Sequence, residues 1–316
     1  MAAVHAVVIR DGRLHWEVRE DPVPGDTELL VAVRAAGING ADLVQRSGFY
    51  PAPQGWPQDI PGMEFAGEVV EVGSKVSPRW KEGDRVMAVV GGGAQAELAF
   101  VDEAHALSVP EGLPWPEAGG FPEVYSTAYD ALFTQAGLRM GERVLVSGAA
   151  GGVGTAGVQL AVATGASVIA TVRDPGRRQD VEALGATVTE PGREADHGPY
   201  DVVLELVGAP SLTQVLPCLA TGGRVVVIGV GAGAAFELDL FQLMRGRARI
   251  SGSTLRARSR REKANVAAGV AAHVLPLMRD GRVRVPVCDT FPLSEAEAAY
   301  ERFGAGAKFG KVVLVT

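Results

Sequence analysis

The chain has 316 residues, 47% of them hydrophobic and 21% charged, and a formal net charge of −7 at pH 7. That length holds about two domains with a sizeable core, and the composition is that of a soluble globular protein. The negative balance argues against non-specific binding to a nucleic-acid backbone by the molecule as a whole, because such binding is mainly electrostatic.

From the N-terminus, residues 1–12 contain no basic segment ahead of a long apolar core, and no later stretch reaches about 18 uninterrupted apolar residues. Neither an export signal nor a membrane span is expected. The first third carries short β patterns at residues 4–9, 29–35, 67–72 and 85–90, separated by turns such as Pro22-Val23-Pro24-Gly25. It reads as a β-rich domain. From Val124 a helical stretch to Gln135 leads into the unit around which the rest is arranged, residues 142–163. There a β-branched run breaks into Ser147-Gly148-Ala149-Ala150-Gly151-Gly152-Val153-Gly154 and resumes with helical spacing. Strand, tight turn and helix in that order expose helix N-terminal amides, an anion site suited to a diphosphate.

Apolar strands at 144–147, 167–172, 201–206 and 223–229 then alternate with helices, with a last strand at 249–253, so a parallel sheet covered on both faces is expected. The fold class is α/β, a β-rich domain plus a doubly wound one. Residues 245–263 follow, with eight basic residues and one acid, and then an Ala/Val-rich amphipathic helix to Met278. The tail returns to strand character at 283–287 and 311–315 and is inferred to rejoin the first domain. Cys218 and Cys288 match no metal-ligand spacing, and a reducing cytoplasm fits them best.

The Gly-x-Gly-x-x-Gly template falls on residues 149–154, with alanine in first place. Gly151 would let backbone approach a diphosphate and Gly154 would let helix pack on strand. At the end of the second parallel strand an NAD site places a carboxylate for the ribose hydroxyls, whereas an NADP site places a cation for the 2′-phosphate. Arg173 stands there, with Arg177 and Arg178 behind it, which favours NADPH; Asp174 points the other way, and the arginines also suit a solvated helix start.

Residues 36–50 (Ala-Gly-Ile-Asn-Gly-Ala-Asp-Leu-Val-Gln-Arg-Ser-Gly-Phe-Tyr), 61–69, 81–86, 147–154 and 309–314 lie in an order that resembles the medium-chain dehydrogenase/reductase superfamily, specifically its zinc-free quinone oxidoreductase branch. Residues 91–96 and 122–129 look most like the stress-inducible subgroup. The resemblance implies a GroES-like catalytic domain at 1–122, an NADP-binding Rossmann domain at 123–263 and a return to the catalytic domain at 264–316. Zinc-dependent members carry ligands where this chain has Asn39, Met63 and Glu123, and only the last could bind zinc, so no metal is expected. The lobe with four structural cysteines is replaced by a short turn.

The same resemblance places Asn39, Asp42, Arg46 and Tyr50 beside a nicotinamide cleft. It makes Tyr50 the candidate for the acceptor pocket and Asn39 a polar contact, the two catalytic candidates, while Asp42 fixes loop structure. For the cofactor it carries over Thr127, Gly151, Gly152, Val153, Gly154, Arg173, Arg177, Gly229 and Lys308. The implied activity is NADPH-dependent quinone reduction by a cytoplasmic homodimer. An NADPH-dependent alkenal or enone reductase is the alternative, and a non-catalytic NADPH- or RNA-binding protein a distant one, resting on the basic run.

Overall fold

The computed structural model describes residues 3–316. An antiparallel hairpin of β1 (Ala3–Arg10) and β2 (Arg13–Glu20) opens the chain. β3 (Glu28–Gly37) follows, then α1 (Gly40–Arg46), β4 (Glu64–Val72), β5 (Arg85–Val89), β6 (Leu98–Asp102) and β7 (Ala106–Ser108). Two helices, α2 (Trp115–Gly119) and α3 (Pro122–Tyr129), lead out of this β-rich part, and α3 runs on into a π-helical turn at Asp130–Gln135.

The second part alternates β8 (Arg143–Val146), α4 (Gly152–Ala163), β9 (Ser167–Thr171), α5 (Arg178–Glu182), β10 (Thr187–Thr189), β11 (Tyr200–Glu205), α6 (Ala209–Val215), β12 (Leu219–Val227), α7 (Leu240–Gly246) and β13 (Arg249–Gly252). The tail contributes α8 (Arg260–His273), α9 (Leu275–Arg279), β14 (Val287–Pro292), α10 (Ala296–Gly304) and β15 (Lys311–Val315).

Strands β8 to β13 form one parallel sheet in the order β10-β9-β8-β11-β12-β13. Val144, Leu145, Val146, Val202, Val203 and Leu204 are fully buried, as strands sandwiched between helices require. The order reverses between β8 and β11, which opens a crevice beyond the carboxyl ends of those two strands, the place where such sheets bind ligands. The other sheet runs β14-β15-β3-β4-β5-β7, with β6 also on β3. Residues 311–315 rejoin the first sheet through antiparallel pairing with β3 at Gly37, Ala36 and Ala35. One core cluster spans α3, α4 and the parallel sheet, with Phe121, Tyr125 and Leu160 almost wholly buried in it.

Several expectations shift. The strand expected at 283–287 starts only at Val287. Arg284 gives its N–H to Gln159 Oε1 at 2.8 Å and accepts at its carbonyl from Gln159 Nε2 at 3.0 Å, and Pro286 has no N–H to add to a ladder. The Ala/Val-rich helix is two helices, α8 and α9, parted at Val274 with Pro276 in the first turn of α9. Strand β12 begins at Leu219, earlier than expected. Strands β2, β6, β7 and β10 and helix α10 were not anticipated.

Candidate active site

The glycine unit lies at the carboxyl end of β8. Gly148 turns the chain with φ +61, so the residue before Ala149 supplies the tight turn that the template assigns to its first glycine. Ala149 itself is fully buried. A Cβ on Gly154 would stand 2.6 Å from Ala149 Cα, and only glycine packs there. Gly151, the N-cap of α4, is different: a Cβ there would meet only Gly148 O, at 3.6 Å, leaving an open face beside the first amides of a twelve-residue helix. Val153 lies in the first turn of that helix. Gly229, past β12, is pressed against the end of β11, where a Cβ would lie 2.4 Å from Leu206 O. The crevice wall there is set by Glu205, fully buried, whose carboxylate accepts from Ser147 Oγ (2.9 Å), Val207 N (2.7 Å), Gly208 N (2.9 Å) and Ser211 Oγ (2.7 Å).

Beyond β9 the cationic residues gather. Arg173 is exposed. Arg177 gives Nε to Ala307 O at 3.1 Å and pairs with Asp180, which ties the segment after β9 to the C-terminal loop. Lys308, in that loop, lies over the Phe303 ring at 4.0 Å, and burial lowers its pKa, with like charge from Lys311, Arg302 and Arg173 adding to the effect. Arg178 is drawn off to Glu190 at 3.2 Å, and Asp174 caps Gly176 N at 2.9 Å. An open helix N-terminus followed by clustered cations suits a diphosphate and a further phosphate.

The C-terminal segment joins this loop to the first sheet. Gly310 N donates to Ala150 O at 2.9 Å, and the next residue is Lys311, 2% exposed at the start of β15. Its ammonium donates to Glu64 Oε1 (2.6 Å), Asn39 Oδ1 (2.7 Å) and Ile38 O (2.8 Å). Asn39 in turn donates Nδ2 to Glu64 Oε1 at 2.9 Å, so its amide is committed on both sides. Asp42 accepts from Asn39 N (2.8 Å) and Gly62 N (3.3 Å), fixing the turn into α1, and burial raises its pKa to about 6. The second Glu64 oxygen accepts from Glu123 N at 2.8 Å, at the head of α3. Thr127, one turn on, donates Oγ1 to Glu123 Oε1 at 3.2 Å.

Tyr50 is held from an unexpected quarter. Arg256, 4% exposed, lies over its ring at 5.1 Å and donates to Tyr50 O (3.1 Å), Gly91 O (2.7 Å) and Gln45 Oε1 (2.6 Å). Burial raises the Tyr50 phenol pKa and lowers that of the guanidinium. Beside them an apolar pocket lined by Val89, Leu107, Ser126, Leu255 and Val266 receives Lys263, whose pKa burial also lowers and which stands 5.9 Å from the Trp56 ring. Arg258 and Arg260 are bound to Asp130 and Asp102. Of the basic run, Arg256, Arg258 and Lys263 turn inward, whereas Arg245, Arg247, Arg249, Arg260 and Arg261 stay exposed. Arg46, placed with the cleft residues by sequence, is turned to Glu297 and the Tyr300 ring.

Residues 25–111 match the family model "Alcohol dehydrogenase GroES-like domain" and residues 152–269 the model "Zinc-binding dehydrogenase". The chain is 34% identical to the quinone oxidoreductase of Mus musculus over 93% of its own length and 91% of the relative's. It belongs to the medium-chain dehydrogenase/reductase superfamily. Acryloyl-coenzyme A reductase of Metallosphaera sedula is 31% identical, over 98% of this chain and 99% of that one. A mycobacterial superfamily structure complexed with NADPH superposes with a TM-score of 0.88 at 26% identity, covering 99% of this chain and 100% of the other. The chain is therefore an NAD(P)H-dependent oxidoreductase of the medium-chain dehydrogenase/reductase type. At the three positions where zinc-dependent superfamily members hold metal it presents an amide, a thioether and a carboxyl, in Asn39, Met63 and Glu123. Among the described residues no group of three His, Cys, Asp or Glu side chains could hold a metal ion.

Three residues of this site escaped the sequence. Lys311 carried a signal, since a lysine heading a run of buried apolar residues must find a partner. Arg256 and Glu205 carried none, because their partners lie far off in the chain or in a turn of generic composition.

Proposed function

We propose that the protein reduces quinones with NADPH by hydride transfer, without zinc. The observation that carries this reading is the Lys311–Glu64–Asn39 cluster at the place where zinc-dependent relatives hold their metal: a fixed ammonium fills the centre, and the side chains around it are spent on one another. An acceptor there must already be electrophilic, and a quinone is, because the anion it forms is delocalised and a few hydrogen bonds stabilise it. The bound nicotinamide supplies the hydride. The open face at Gly151 and the amides that follow, to Gly154, hold its diphosphate, Gly229 gives it room, and Thr127 stands at its inner end. Arg173, Arg177 and Lys308 receive the 2′-phosphate. Tyr50, fixed by Arg256, lines the acceptor pocket, and Asn39 forms its polar wall.

The purified enzyme should oxidise NADPH faster than NADH with simple quinones and be indifferent to a chelator. Loss of activity on chelation, or a preference for NADH, would sink the reading. Activated alkenes are the second acceptor class, favoured by the full-length similarity to an acryloyl-coenzyme A reductase. A panel of quinones, enones and enals separates the two.

A homodimer is part of the proposal. Strand β13 is one of the two edges of the parallel sheet, and Leu240, Phe241 and Met244 on the neighbouring α7 are 63%, 72% and 68% exposed. Such an edge invites a second copy. A cytoplasmic location is likewise part of the proposal; no helix among the described residues is long and apolar enough to cross a membrane.

A further inference from the structure

We infer that Glu123 is the acid that protonates the reduced acceptor. The inference rests on the reductase reading above and gives a catalytic task to a carboxyl group that the cofactor site leaves unused.

Glu123 stands in the first turn of α3, between the two sheets, and is partly exposed. Its main chain is fixed by Glu64 and its Oε1 by Thr127, while Oε2 takes no hydrogen bond from the described residues and is not among the fully buried unpartnered atoms. Charged and titratable groups face it from every side. Lys311 of β15, Glu64 of β4, Asp42 of α1, Tyr50, Arg256 and Lys263 of α8 all stand near enough for their charges to act on it or be acted on by it. Ser126, one turn on along α3, lines the small apolar pocket that receives Lys263. Burial first, and then the Glu64 carboxylate, push the Glu123 pKa up to about 7 against the opposing pull of Lys311 and the Thr127 hydrogen bond. A carboxyl group so placed is protonated in a useful fraction of molecules near neutral pH.

The step balances. Two electrons and one hydrogen arrive on the acceptor as hydride, leaving it an anion. The O–H bond of Glu123 then breaks as a new O–H bond, or C–H bond for an alkene, forms on that anion. Glu123 is left as a carboxylate and takes a proton from water through the cleft. One NADPH is oxidised, one acceptor is reduced by two electrons and one proton is consumed.

The test compares wild type with Glu123→Gln, which keeps the shape and the Thr127 acceptor but has no acidic proton, and with Glu123→Asp, which keeps the acid. Single-turnover rates with a quinone are measured from pH 5 to 9, NADPH binding by fluorescence, and carboxyl protonation without cofactor by infrared difference spectroscopy. The wild-type rate should fall as pH rises through the Glu123 pKa. Glu123→Gln should be slower by about 100-fold or more and flat in pH, with NADPH affinity within about twofold of wild type. Glu123→Asp should recover part of the rate and the pH dependence. The infrared band of a protonated carboxyl titrating near pH 7 should vanish in Glu123→Gln, leaving the Asp42 band that titrates near 6. A Glu123→Gln enzyme with the wild-type rate and pH profile, or a wild-type spectrum with no such band, overturns the inference. Wild-type inactivity toward every acceptor would instead sink the reductase reading, and this inference with it.

Discussion

Lys311 Nζ lies 2.6 Å from Glu64 Oε1, and both side chains are buried. Removing one member of such a pair leaves an uncompensated buried charge. Lys311→Met or Glu64→Gln should each cost about 3–5 kcal/mol, read from the urea unfolding midpoint. Because the partners touch, the double variant should be more stable than the sum of the singles by about 1 kcal/mol or more. Additive losses would mean that the two charges are not coupled.

Arg256 secures Tyr50 with a planar fork that a lysine cannot reproduce. Arg256→Lys and Arg256→Ala should both raise the acceptor KM by about tenfold, equivalent to about 1.4 kcal/mol, while leaving the NADPH dissociation constant within about twofold. A change confined to NADPH binding would show that the arginine serves the cofactor side.

Arg173 and Arg177 differ in their bonds, and the difference should be measurable. Arg173→Ala should weaken NADPH by about tenfold, about 1.4 kcal/mol, and leave NADH untouched. Arg177→Ala should do the same and also lower thermal stability slightly, since it loses the tie to Ala307 O. Unchanged discrimination in both variants removes the pair from the phosphate site.

Two neighbouring glycines should separate stability from binding. Gly154→Ala drives a methyl to 2.6 Å from backbone and should destabilise by about 1–3 kcal/mol. Gly151→Ala meets no close contact and should fold normally, yet lose NADPH affinity, because its open face is the diphosphate's approach. Calorimetric melting and NADPH titration on the two variants check both halves.

The pH dependence of stability follows from Glu123. Its native pKa, about 7, lies above the ordinary 4.5, so the folded protein holds a proton that the unfolded chain releases. That contribution is fully present below the ordinary value and is lost as pH rises through about 7. The stability difference between wild type and Glu123→Gln should therefore move against wild type between pH 5 and 7.5, measured by urea unfolding at fixed ionic strength. A constant difference contradicts a raised pKa.

The parallel strands were legible because they are short apolar runs, and the glycine unit because its punctuation is strong. Short edge strands such as β7 and β10 escaped, having too few residues to show a period. The segment at 283–286 misled because Val283 and Val285 are buried at alternate positions, while its hydrogen bonds go to Gln159, distant in sequence. The basic run gave charge but no direction: its one-dimensional pattern could not say that Arg256 turns inward while Arg261 stays exposed. The site was legible where one loop makes it and opaque where three distant segments meet.

Strand β15 has a consequence for how the molecule is made. The end of β3, residues 35–37, has its antiparallel partner in β15, synthesised long after it, and so does the buried carboxylate of Glu64 in Lys311. Until residue 311 has left the ribosome, β3 keeps an open flank and the acid under the cleft has no counter-charge. A chain stopped before residue 311 would therefore lack both the centre of the site and a closed first sheet, and the two defects would arrive together, so that it would be unstable before it could be a sluggish enzyme.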